Sequence, residues 1–181
     1  MRIIAGRFRR RLIQAPPGNN TRPTTDRARE AMFNMVSARL DLTEARVLDL
    51  FSGSGALGLE AMSRGATHLD FVEQDRIALS FARDNAKSLD ADLAVNFHQT
   101  DVFTWIKSQP VAQYQLILAD PPYELTEIEE LLNQVLPLLA PEGLFVLEHA
   151  RQSKVEDLAG FITTRFYGKS AVSLFLRPIQ D

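Results

Sequence analysis

Between Val47 and Glu148 short apolar runs and helical stretches take turns along the chain, and this alternation restricts the fold more than any other feature. The runs Val47–Phe51, Leu69–Glu73, Leu93–His98, Leu116–Asp120 and Leu144–Glu148 read as strands. Ala56–Arg64, Ile77–Leu89, Val102–Lys107 and Glu127–Leu139 read as helices between them. Strands separated by helices are βαβ units, which build a parallel sheet covered on both faces. Near the end, Ile162–Tyr167 and Ala171–Arg177 flank Gly168-Lys169-Ser170, the pattern of an antiparallel hairpin closing one edge. The expected class is α/β with a mostly parallel sheet.

At 181 residues, the chain can bury one sizeable core and is short for two. Its N-terminal segment differs sharply from the rest. Residues 1–30 hold eight arginines against Asp26 and Glu30, a charge of +6, while the remaining residues sum to −9 and the whole to −3. A focal basic arm on an acidic body suits a polyanion met at one place, and Arg7, Arg9, Arg10, Arg11, Arg22, Arg27 and Arg29 are the candidate phosphate contacts. The arm spans residues 1–23 and reads as a short strand pair or extended segment, broken by the turn formers Ala15-Pro16-Pro17-Gly18-Asn19-Asn20. From Thr24 the pattern turns helical: Thr24 or Thr25 can cap, and Ala28, Met32, Phe33 and Val36 share one face of a helix running to about Leu40. Residues 24–181 then form the main domain. No apolar run approaches the roughly 18 residues of a membrane span, so a soluble, cytoplasmic protein is expected.

Gly53-Ser54-Gly55-Ala56-Leu57-Gly58 follows the first core strand and opens a helix, the context in which G-x-G-x-x-G serves a nucleotide ligand. Glycines there let the backbone turn sharply and approach a ligand closely, which suits NAD, FAD or S-adenosylmethionine alike. Glu73 ends the second strand, 20 residues beyond Gly53, where a carboxylate can accept from both ribose hydroxyls. Asp101, with Val102 after it, follows the third strand, within reach of an adenine amino group. Asp49, two residues before Phe51, precedes the loop where a methionine ammonium would lie. Carboxylates converging on one site favour a cationic ligand over the pyrophosphate of a dinucleotide.

Asp120-Pro121-Pro122-Tyr123 follows Leu116-Ile117-Leu118-Ala119, at the carboxyl end of a strand, where open α/β sheets bind ligands. Two prolines in succession stiffen the loop and remove two backbone donors, leaving carbonyls free to accept from elsewhere. If Asp120 and the Pro121 carbonyl both accept from an exocyclic amine, its nitrogen lone pair is directed at a sulfonium methyl, and Tyr123 offers a face for the base. The absence of cysteine excludes thiolate metal sites, iron–sulfur clusters and the cysteine nucleophile that carbon methylation of pyrimidines commonly uses. No metal is required for this chemistry. The tetrad specifies an amine and not its base, so DNA adenine and other RNA amines remain open, as does a nicotinamide-dependent oxidoreductase that would leave the tetrad without a role. His68, His98 and His149 share no ligand spacing and read as strand-edge or surface residues, and Trp105 as core packing.

The stretch Thr21-Arg22-Pro23-Thr24-Thr25-Asp26-Arg27-Ala28-Arg29-Glu30, with Asp49 to Glu60, Ser63-Arg64-Gly65-Ala66 and Asp120 to Tyr123, resembles the RsmD family over nearly the whole chain. The resemblance implies a seven-stranded class I S-adenosylmethionine-dependent methyltransferase fold, Rossmann-like, acting on the N2 amine of guanine 966 in 16S ribosomal RNA. By the same resemblance the glycine loop (Gly53, Ser54, Gly55), Glu73 and Asp101 would hold the cofactor, with Asp49, Phe51 and Val102 as further candidates beside them. Asp120, Pro121, Pro122 and Tyr123 would hold the guanine, and the arm would grip RNA, as a monomer acting on free RNA or an assembling subunit. Arg10 stands where the family usually has a glycine.

Overall fold

The computed structural model describes residues 1–16, 26–91 and 94–177. Helix α1 (Asp26–Ser37) leads into strand β1 (Arg46–Leu50). Then α2 (Ala56–Ser63), β2 (His68–Glu73), α3 (Arg76–Ser88), β3 (Ala94–Gln99), α4 (Val102–Ile106) and β4 (Tyr114–Ala119) alternate. Helix α5 (Ile128–Val135) and a 3-10 turn (Leu136–Leu138) precede β5 (Leu139–Ala150), and the chain closes with β6 (Phe161–Tyr167) and β7 (Ser170–Leu176). All seven strands form one sheet in the order β3-β2-β1-β4-β5-β7-β6, parallel from β3 to β5 and antiparallel where β7 joins β5 and β6 joins β7.

Side chains alternate across the sheet and split the core in two. On one face Val47, Leu69, Phe71, Leu116, Leu118 and Val146 pack with α1 (Met32, Phe33), α2 (Leu59, Met62) and α3 (Leu79). On the other Leu48, Leu50, Val72, Ile117 and Phe145 pack with Trp105 and Ile106 of α4 and Leu131, Leu132 and Val135 of α5. Strands β1 and β4 sit at the centre and are buried on both faces, which is why, apart from the buried Asp49 in β1, they read as apolar runs.

Residues 1–16 belong to this packing. Ile3, Phe8 and Ile13 are buried in the first core, and Arg2 bridges Leu12 in antiparallel fashion. The buried carboxylate of Glu60 on α2 accepts from the Ile4 N–H at 2.7 Å and the Ala5 N–H at 3.1 Å, and pairs with Arg64 at 2.8 Å. The Ser63 hydroxyl accepts from the Phe8 N–H at 2.9 Å, and Asn85 of α3 exchanges two 2.8 Å hydrogen bonds with the backbone of Gln14. Gly6 crosses so close to α2 that a Cβ there would lie 1.7 Å from the Ser63 carbonyl oxygen.

Several boundaries differ from the sequence reading. Helix α1 stops at Ser37, short of Leu40, and α5 ends at Val135, where Pro137 tightens the chain into the 3-10 turn. Strand β5 is far longer than Leu144–Glu148, because Pro141-Glu142-Gly143 forms an irregularity within it, with Glu142 at φ 59°, and does not end it. Strand β4 begins at Tyr114, whose buried hydroxyl donates to Asp70 at 3.0 Å. His149 is not at an edge: β5 lies between β4 and β7, and the His149 ring is buried, sharing a 2.8 Å hydrogen bond with Ser173. Burial depresses its pKa. Leu93, Arg22, the Thr24 or Thr25 cap and the arm boundary at residue 23 lie outside the described residues.

Candidate functional site

The turn after β1 is built from backbone that most residues avoid. Phe51 takes φ 55°, Gly53 53° and Gly55 80°, and Gly55 precedes the first residue of α2. A Cβ added at Gly55 would lie 3.0 Å from the Phe71 ring, so the loop lies flat on β2. At Gly53 nothing stands within 4 Å of where a Cβ would be, so this is the side open to a ligand. Gly58 serves a third purpose: a Cβ there would sit 2.7 Å from Phe71 and 3.0 Å from the Asp49 carboxylate, so only glycine lets α2 pack against β1 and β2.

Two carboxylates hold the loop. Asp49, 1% exposed, accepts from the Gly58 N–H at 2.8 Å. Burial pushes its pKa well above the usual carboxylate range, and the neighbouring Asp120 and Glu73 push further, against the lowering effect of the Gly58 N–H. Glu73 accepts from the Gly53 N–H and, through its other oxygen, from the Asp75 N–H, both at 2.9 Å. Each oxygen keeps a further lone pair for a ligand hydroxyl.

A cavity opens at the carboxyl ends of β1 and β4, lined by Asp49, Phe51, Ser52, Gly53, Ser54 and Asp120 together with Met1, Ala15, Pro16 and Arg29. The structure thus brings five of the expected site residues into one wall. Glu73 and Gly55 join them through the loop. Asp101 stands at the end of β3, exposed, with one oxygen capping α4 through the Thr104 N–H at 2.8 Å. The Val102 side chain is buried in the second core, so only its backbone is left to face a ligand. A second hollow, lined by Ser37 to Leu42 and Arg64, lies at the opposite end of the parallel strands, away from where such sheets bind.

In the tetrad, Pro121 is buried while Pro122 and Tyr123 are exposed, Tyr123 to 50%. The Leu125 N–H donates to the Pro122 carbonyl at 2.9 Å and folds the tetrad into a turn. Among the described residues no donor reaches the Pro121 carbonyl.

Arg7, Arg9, Arg10, Arg11 and Arg27 are exposed, as a phosphate-binding surface needs. Arg10 has φ 69°, a left-handed backbone that favours glycine. Arg29 departs from the expectation of a surface cation. Its side chain is fully buried, donating to the Arg2 carbonyl at 2.6 Å and to Asp26 at 2.9 Å. The helical spacing that puts Ala28 and Met32 on the buried face of α1 also carries Arg29 inward. Sequence reasoning missed the cavity's other half as well: nothing in Met1, Ala15 and Pro16 signals that the folded arm becomes a wall of the site.

A family model described as Conserved hypothetical protein 95 matches residues 1–176. Ribosomal RNA small subunit methyltransferase D of Escherichia coli (strain K12) is 32% identical over 94% of this chain and 91% of its own length. The chain belongs to this family, the RsmD family. A solved hypothetical protein from Thermus thermophilus superposes with a TM-score of 0.83 at 29% identity, covering 97% of this chain and 99% of that one. The T. thermophilus 16S rRNA N2 G1207 methyltransferase RsmC, solved with AdoMet and guanosine, shares the fold at a TM-score of 0.72 and 22% identity, over 91% of this chain and 46% of that one. The architecture of the RsmD family member described here is the class I methyltransferase fold.

Proposed function

We propose that this chain is an S-adenosylmethionine-dependent methyltransferase of small-subunit ribosomal RNA, and that its target is the N2 amine of a guanine, position 966 of 16S RNA. The observation that carries the reading is that Asp120 opens onto the same cavity as Asp49 and Gly53. The family relationship supports the RNA substrate.

The residues present fit the cofactor. Among the described residues, Ser52 Oγ and Arg29 Nε are buried without a partner, and both residues line the cavity, so a polar ligand has groups waiting for it. Asp49 faces where a cation would relieve its burial, Glu73 and the Gly53 loop would hold the ribose side, and Asp101 and the Val102 backbone the adenine. Bound there, S-adenosylmethionine supplies an electrophilic methyl on a sulfonium. The chain's own work is positioning. Asp120 and the Pro121 carbonyl accept from the guanine amine and leave its lone pair free for the methyl carbon, while Tyr123 stacks on the base. The proton released after transfer passes to Asp120 or to water.

The target base must leave its stack to reach this cavity, and exposed arm arginines on flanking phosphates would hold the strand meanwhile. We place the activity in the cytoplasm, with a monomer acting on 16S RNA, free or in an assembling subunit. Among the described residues no helix is long and apolar enough to cross a membrane.

The test is methyl transfer from labelled cofactor to unmodified 16S RNA and to small-subunit particles, with nucleoside mass spectrometry of the product. N2-methylguanosine is the expected product; N6-methyladenosine would move the reading to an adenine enzyme, and no product from either substrate would refute it. Asp120→Ala should lower kcat at least about 100-fold while leaving affinity for S-adenosylhomocysteine unchanged. Calorimetric binding of NAD in preference to S-adenosylhomocysteine would favour an oxidoreductase.

A further inference from the structure

The sheet's far edge carries a basic and aromatic patch that the proposed chemistry does not use. Residues 151–154, after β5, and 165–169, at the β6–β7 turn, hold Arg151, Lys154, Arg165 and Lys169, all exposed, and no carboxylate. These nine positions contain four of the twelve cations of residues 31–181, a region that is otherwise strongly acidic. The carboxylates closest in sequence are the buried Glu148 and the exposed Glu156 and Asp157 of the following turn.

The patch is organised. Arg151 lies over the Phe166 ring at 4.8 Å, and it is fixed by its N–H donating to the Lys169 carbonyl at 3.1 Å and its guanidinium to the Gly168 carbonyl at 3.3 Å. Phe166 is still 49% exposed. An arginine held against a half-exposed aromatic ring, with the exposed Lys154 and Lys169 in the same two segments, is a composition that can stack a base and neutralise its phosphates.

Its place in the fold matters equally. The β6–β7 turn lies at the carboxyl end of the parallel strands because Ser170 pairs with Ala150 at the end of β5. That is the end where Asp120 stands. Strand β6 lies three positions from β4 in the sheet order, about 14 Å at the usual strand spacing. The basic arm packs on α2 and α3, over the other half of the sheet. Along the sheet order, cations therefore lie on both sides of Asp120, and the tetrad's own loop and α5 carry Glu124, Glu127, Glu129 and Glu130.

We propose that the Arg151–Phe166 platform with Lys169 binds a single-stranded nucleotide flanking the target base, so that the RNA strand runs from the arm, past Asp120, to the β6–β7 turn. This rests on the RNA reading above and adds a second contact to it. The experiment measures affinity for a naked 16S RNA fragment and for S-adenosylhomocysteine, with thermal melting as the folding control. Phe166→Ala should weaken RNA binding about tenfold, as loss of one stacked base does. Lys169→Gln should weaken it a few-fold and reduce the logarithmic salt slope by about one. Both should raise KM for RNA with kcat and cofactor affinity unchanged. Phe166→Trp should retain affinity and show quenched indole fluorescence on adding RNA. Folded variants that bind RNA like the parent would overturn the proposal, as would a loss seen with subunit particles alone, since the patch would then meet protein. A parent protein that binds the fragment but methylates nothing would defeat the proposed activity and leave the platform to stand or fall on the affinities.

Discussion

Asp49 shows how one residue can serve ligand binding at the expense of the empty fold. Its carboxyl is buried and its pKa raised, so the folded chain holds the carboxyl proton more tightly than the unfolded chain does. Such an acid costs stability as pH rises from the ordinary carboxylate range through its raised folded value, because the unfolded chain ionises first. A cation in the cavity reverses the preference. Asp49→Asn should therefore leave the ligand-free melting temperature at pH 7 equal or higher, yet lower cofactor affinity about tenfold, roughly 1.4 kcal/mol. Calorimetry and thermal melting together check both halves, and unchanged affinity would contradict the role given to Asp49. Arg10 makes the converse case. A left-handed backbone costs a non-glycine residue roughly 1–2 kcal/mol, partly offset in glycine by its freer unfolded chain. Arg10→Gly should raise stability by up to about 1 kcal/mol in denaturant titration while weakening RNA binding. The chain keeps a strained arginine where a relaxed glycine would fold better, which fits a side chain retained for its charge.

At the scale of elements, α2 joins the arm to the site. One end of the helix carries the glycine loop, and Glu60 and Ser63 on it hold the arm's backbone. Glu60→Gln removes a charge that pairs with Arg64 and accepts two partly buried N–H groups, and should cost about 2–3 kcal/mol. Hydrogen exchange at Ile4 and Ala5 should quicken more than exchange in β5. Element by element, the sequence was legible where burial imposes a period. The central strands, the glycine loop and the closing hairpin showed themselves because apolar runs and turn residues act locally. Strand β5 ahead of Leu144 was hidden because an irregularity with Pro141 and Gly143 imitates a strand end, and Tyr114 because its hydroxyl donates to Asp70, 44 residues away. The carboxylates of the cavity could be read from their positions at strand ends. Its other wall could not, since the seating of residues 1–16 depends on long-range bonds to α2 and α3 that leave no periodic trace in the arm.

For the whole molecule, charge separation governs how RNA is met. An arm of +6 on a body of −9 should make association fall steeply with salt. Replacing Arg7 and Arg9 with glutamine should reduce the slope of log affinity against log salt by about two and leave S-adenosylhomocysteine binding untouched; equal losses of both would show that the arm acts on the cavity instead. The sheet order carries a further consequence, for synthesis. Strand β1 is bonded on one side to β2, its close successor, and on the other to β4, whose pairing joins Val47 to Leu116. As the polypeptide leaves the ribosome, β1 and β2 can zip together early, but the sheet's middle keeps a bare apolar margin until Tyr114–Ala119 has emerged. Nascent fragments halted before that point should cling to chaperones or to one another, and those halted after it should not.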